Sequence, residues 1–162
     1  MSATATNFDV RTILAEWIQG VCGMYCKDLD ALTDEQFTSV YAGKARTPQD
    51  FTAEIIGMNM MVASILADNP QSMPSDEERA GFVASISSRD IAKAKLKDSC
   101  EALANAVKAL SPDDLGTQVQ TPWGMPITKY GFANLQAGHI WYHDGQLNFL
   151  QSCHGDAEVH WM

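Results

Sequence analysis

Apolar residues recur along this chain in steps of three and four, and four long stretches carry that rhythm. In the first, from about residue 8 to residue 26, Val10, Ile13, Leu14, Trp17 and Val21 fall on one stripe of a helix. Thr6 or Asn7 stands where its cap is expected. The second stretch is entered at Thr47-Pro48, a capping side chain followed by a proline whose missing N–H costs nothing in a first turn. Phe51, Ile55, Met58, Val62 and Ile65 line its face, and Asp68-Asn69-Pro70 stops it. The third opens near Ser75 on Asp76-Glu77-Glu78, acids that suit a helix N-terminus, and is expected to break at Ser87-Ser88. Leu96, Cys100, Leu103, Val107 and Leu110 then repeat at alternating steps of four and three, the mark of a bundle seam. The fourth runs from about Thr128 to Gln151, with Phe132, Leu135, His139, His143, Gln146 and Leu150 along one face.

Turn chemistry separates these stretches. Thr33 with Gln36 forms a capping-box pattern, which predicts a short helical turn at residues 33–37. Residues 69–75 hold two prolines and read as a linker, and residues 116–126, with Pro122, Gly124 and Pro126, read as an extended loop. Strand signals are nearly absent, and there is no internal repeat. The pattern predicts an all-α, single-domain chain over residues 1–162, a four-helix bundle of up-down-down-up or related antiparallel topology.

Composition narrows the function classes. The chain has 162 residues, 46% hydrophobic and 19% charged, enough to bury a core without disulfide or structural metal. Its formal net charge of -9 disfavours nucleic acid and anionic membranes as partners. Asp9 and Glu16 interrupt the first apolar stretch, so it does not read as a signal peptide, and no window approaches about 18 uninterrupted apolar residues. A cytoplasmic location is therefore expected, with Cys22, Cys26, Cys100 and Cys153 as free thiols.

The chemistry of interest lies on the fourth helix. His139 and His143 are four residues apart, which stacks two imidazoles one turn apart on the same face, a spacing able to hold a zinc ion. The bland reading is one buried, hydrogen-bonded histidine and one surface histidine. Cys22 and Cys26 share the spacing but read as small core residues. Met24, Met58, Met60 and Met61 form a sulfur-rich region that reads as adaptable packing. Trp123 and Trp141 either line a pocket near the histidines or simply pack. Asp144 is about 100° around the helix from His143 and reads as solvated, whereas Gln146, one turn on, can orient an imidazole.

Pro122-Trp123-Gly124-Met125-Pro126-Ile127-Thr128, followed by His139-Ile-Trp-Tyr-His143-Asp-Gly145-Gln146-Leu147, resembles the last loop and helix of the DinB-like superfamily. The Trp-bearing first helix, the Leu32–Phe37 turn and the Thr47-Pro48 entry are similar in order, so the resemblance covers most of the chain. It implies a three-histidine site for nickel, zinc or another divalent ion, with His139 and His143 as two of the ligands. The third histidine of the family corresponds to Met58, in Ile55-Ile56-Gly57-Met58, and Asn59 follows it. A thioether is a poor ligand for zinc or nickel. Three side-chain sources can complete the set: Glu54, one turn before Met58; Asn59; or the tail histidines His154 and His160. Glu54 is favoured, because two histidines and one carboxylate are an established ligand set.

Two functions follow. By resemblance, the chain is a metal-dependent enzyme that activates a low-molecular-weight thiol or water, for S-transfer or hydrolysis on a small molecule. The alternative is a non-catalytic bundle with a degenerate metal site, acting as a binding or stress-related protein. A homodimer is a further expectation, with Trp17 or Trp161 contributing an aromatic patch.

Overall fold

The computed structural model describes residues 8–161 and is built from six helices and one short hairpin. Helix α1 spans Val10–Asp30. Its cap is Asp9, whose carboxylate accepts from the Arg11 N–H; Thr6 and Asn7, expected in that role, lie outside the described residues. Leu14, Ile18, Val21, Tyr25 and Leu29 form its buried stripe, so Ile13 and Trp17 sit at the rim and not in the core. Helix α2, Asp34–Thr38, carries both halves of the Thr33–Gln36 capping box. Helix α3, Pro48–Leu66, starts on a second box, Thr47 with Asp50, and has proline in its first turn. The expected break divides the third stretch into α4, Asp76–Ser85, and α5, Arg89–Ala109, with Ser88 capping the restart. Leu96, Cys100, Leu103 and Val107 are fully buried along α5. Helix α6, Lys129–Cys153, is capped by Thr128. A Cβ on Gly131 would stand 2.9 Å from the Thr128 hydroxyl, so glycine leaves room for the capping bond.

Four long helices, α1, α3, α5 and α6, share one core. Side-chain ties fix their directions. Arg11, at the start of α1, donates to the Leu110 carbonyl just past α5, and Arg89, at the start of α5, donates to the carbonyls of Asp30, which ends α1, and of Leu32 just past it. These two helices are therefore antiparallel. Gln49 donates to Val83 and Ile86, which lead into α5, so α3 and α5 run the same way. Lys129 reaches the last carbonyl of α3, making α3 and α6 antiparallel. Each of α5 and α6 packs against both α1 and α3.

Residues 116–126, expected as an extended loop, contribute instead to a short hairpin. A 3-10 turn at Asp114–Gly116 leads into β1, Gln118–Gln120, which pairs antiparallel with β2, Pro126–Thr128, placing Val119 opposite Ile127. Three residues per strand is too short a run for alternation to show in the sequence. Gly124, at φ 82°, makes the turn between them. Leu135, expected on the inward face of α6, is half-exposed. Cys22, Cys26 and Cys100 are buried, and no disulfide joins any of the four cysteines. The Cys22 thiol is pushed up to about 12 by its hydrogen bond with Cys100 and by burial, which keeps it protonated. Among the described residues no helix is long and apolar enough to cross a membrane.

Candidate metal centre

Helices α3 and α6 cross antiparallel, and their shared face sets Glu54 against the histidine pair. His139 Nε2 lies 3.0 Å from His143 Nε2 and 3.2 Å from Glu54 Oε1, and His143 Nε2 lies 3.8 Å from that same oxygen. The three donor atoms lie within 4.8 Å of one another. The His143 side chain is 3% exposed and that of Glu54 39%, so the cluster has a buried floor and an open side.

Neighbouring groups fix the imidazoles. Gln146 donates to the Tyr142 hydroxyl, which turns its Oε1 toward His143 Nδ1 at 2.7 Å. Nδ1 of His143 must then carry the proton, leaving the Nε2 lone pair free to face His139. Phe51 stacks on the other side of this ring, with centroids 5.2 Å apart and planes 8° apart. The hydrogen between the two histidines therefore belongs to His139 Nε2, which also points at Glu54. Burial lowers the pKa of both histidines, so both are neutral at physiological pH. Burial raises Glu54, but the Arg46 guanidinium and the two histidines outweigh that effect and hold its carboxyl below the ordinary value. Arg46 meets Glu54 at Oε2, the oxygen turned away from the histidines.

The other expected site residues fall elsewhere. Asn59 is fully buried, and its amide is occupied by the core: it donates to Ser99 Oγ at 3.0 Å and to Cys100 Sγ, and it accepts from Gln136 at 2.7 Å. Five residues past Glu54, it faces α5 more than the cluster. Met58 is half-buried one turn beyond Glu54. His154 meets Tyr41 edge-on and His160 pairs with Asp156 at 2.8 Å, so neither tail histidine joins the cluster. Trp123 is half-exposed and packs edge-on against Phe132, about 10 Å along α6 from His139. Trp141 instead meets Trp17 and Trp161 on the outside of the bundle. Arg46 and Phe51 were not legible as site residues. Arg46 lies in a loop without periodicity, and Phe51 reads as ordinary core, although it is three residues from Glu54 on the same helical face.

Asp144 is not solvated. It is 4% exposed and faces Asp28, which is fully buried on α1. The 100° that separates it from His143 turns it away from α3 and toward α1, because α6 packs against both helices. Asn148 donates to Asp28 Oδ2 and Gln151 to the Asp28 carbonyl. Burial, then Asp28, push the Asp144 carboxyl up to about 8. Its folded value lies above its unfolded value, so the folded chain keeps a proton that the unfolded chain releases, and stability falls as pH rises from about 4 to about 8. Asp144→Asn removes that titration and keeps the shape. It should raise stability at pH 7.5 by roughly 1–3 kcal/mol and flatten the stability profile above pH 5. Urea melts across that range measure both, and an unchanged slope would count against a protonated Asp144.

A family model described as the DinB superfamily matches residues 24–147. Among solved structures, a conserved protein from Enterococcus faecalis superposes with a TM-score of 0.72 at 12% identity, over 89% of this chain and 96% of that one. The mycothiol-dependent maleylpyruvate isomerase superposes with a TM-score of 0.68 at 19% identity, over 85% of this chain and 59% of that one. This chain thus spans well under two thirds of the isomerase, and at these identities both likenesses speak to the fold alone. No curated protein matches it in sequence.

Proposed function

This chain belongs to the DinB superfamily, and from that membership and its Glu-His-His cluster we propose that it is a divalent-metal-dependent enzyme acting on a small molecule through a low-molecular-weight thiol or water. The observation that carries the reading is the spacing of Glu54 Oε1, His139 Nε2 and His143 Nε2, at 3.0, 3.2 and 3.8 Å. Donors about 2.1 Å from a tetrahedral zinc ion stand about 3.4 Å from one another, so this set fits with little movement. Two imidazoles and a carboxylate suit zinc or nickel. When bound, such an ion supplies Lewis acidity, lowering the pKa of a thiol or water at its open position.

The chain's own residues do the rest. To ligate through Nε2, His139 would carry its hydrogen on Nδ1 instead of directing it at Glu54, and His143 already presents a bare Nε2. Gln146 and Phe51 hold the His143 ring by a hydrogen bond and a stack. Glu54 contributes a negative charge from the half-exposed side, facing solvent and substrate. The reaction classes are S-transfer or hydrolysis. The mycothiol dependence of the similar isomerase supports the first.

The second reading, a bundle with a degenerate site, draws on the ion pair of Arg46 with Glu54, which neutralises the carboxylate without any metal. Calorimetric titration of tag-free protein with zinc and with nickel separates the two. One ion per chain, bound at about micromolar Kd or tighter and released as pH falls below the histidine range near 6.5, is the expected result. Absence of any binding by the folded protein would leave the degenerate reading.

A further inference from the structure

Arg46 lies in the loop just before α3, and its guanidinium reaches Glu54 at the oxygen opposite the one that faces the histidines. The two oxygens share one carbon, so the guanidinium stands one carboxyl width from the cluster, on its open side. A guanidinium carries five N–H donors in a planar fork, and the pairing with Glu54 is its one polar contact among the described residues. The Arg46 side chain is 49% exposed. An ion pair this exposed contributes little to stability, so holding the fold together is a poor account of Arg46. The chain is acidic overall, at -9, which makes a cation beside the one cluster able to hold a metal among the described residues a local exception.

We propose that Arg46 is the anion-binding residue of this site, taking a carboxylate carried by the thiol that the site uses. The inference rests on the metal and thiol reading above, and it narrows the substrate class to acidic low-molecular-weight thiols. A thiol that carries a carboxylate two or three carbons from its sulfur would offer one end to the cluster and the other to the donors that Glu54 leaves unused. Arginine presents two parallel N–H groups to a carboxylate, so the contact selects both charge and orientation.

The test uses protein loaded with cobalt(II), under anaerobic conditions, titrated with 3-mercaptopropionate and separately with 2-mercaptoethanol. Thiolate-to-cobalt absorption reports binding of either thiol. Wild type should prefer the acidic thiol by about tenfold or more, and Arg46→Gln should reduce that preference to about threefold or less. Arg46→Lys, which keeps the charge but loses the fork, should retain part of it. Circular dichroism of each variant checks the fold, and the weak contribution of the ion pair makes intact variants the expected result. If Arg46 only oriented Glu54, the substitution would change cobalt affinity and leave the preference intact, and that result overturns the proposal. If cobalt-loaded wild type gives thiolate absorption with neither thiol, the metal and thiol reading fails and this inference fails with it.

Discussion

His143→Ala should weaken zinc binding by more than about 100-fold. The substitution removes one of three donor atoms and leaves two ligands on different helices with a gap between them. It also uncovers the face of Phe51 that the imidazole stacks on and leaves Gln146 without the group it orients. Gln146→Ala is the graded comparison: the ligand stays but its tautomer and ring angle are no longer held, and a loss of about tenfold is expected. Calorimetric titration of both variants, with circular dichroism as the fold check, reads the difference. Wild-type zinc affinity in a folded His143→Ala protein would show that the cluster is not where the ion sits.

Lys129→Ala should cost about 2–4 kcal/mol of stability. Lys129 is 2% exposed, and its ammonium donates to the Leu66 carbonyl at 3.0 Å and to Asp68 at 2.8 Å. Leu66 closes α3, and its carbonyl would have no helical partner to replace the lysine. Asp68, at φ 55°, turns the chain in the left-handed region, and the lysine holds its carboxylate in place. Alanine therefore removes a buried aliphatic stem, a terminal tie between two helices and the partner of a strained turn together. Lys129→Met, which restores most of the volume, should recover part of the loss, and urea denaturation separates the packing share from the polar share. A loss below about 1 kcal/mol for the alanine variant would mean that water reaches the Leu66 carbonyl as soon as the lysine leaves.

Much of this molecule could be read from its residues, where local chemistry dominates. The capping box at Thr33, the Thr47 cap with its proline, the break at Ser87-Ser88 and the seam from Leu96 to Val107 are decided within a few residues, and all four stand in the structure. What escaped depends on which helix lies opposite. Asp144 looked solvated because the reading gave α6 one buried face, whereas a bundle helix with two neighbours has two. Ile13 and Trp17 fit the apolar stripe equally well but lie at its rim, since a stripe shows where a face is and not how wide its cover will be. In the sequence Glu54 is preferred to Asn59 on ligand chemistry, because two histidines and a carboxylate are an established set. The structure separates them by giving Asn59 three core partners. Arg46 lay beyond reach altogether, because a loop cation declares itself only once the helices on either side have been placed.

The Asn59–Gln136 bond also works as a vernier. In two antiparallel helices, facing positions keep a constant sum of residue numbers, and 59 with 136 gives the same sum, 195, as a position midway between Glu54–His139 and Glu54–His143. Sliding α6 along α3 by one turn, about 5.4 Å, would break this bond between two buried amides before it disturbed most of the apolar contacts, which tolerate translation. Apolar packing alone would accept several alignments of these helices. The amide pair admits one, and in that alignment a carboxylate from the second long helix meets both imidazoles of the last.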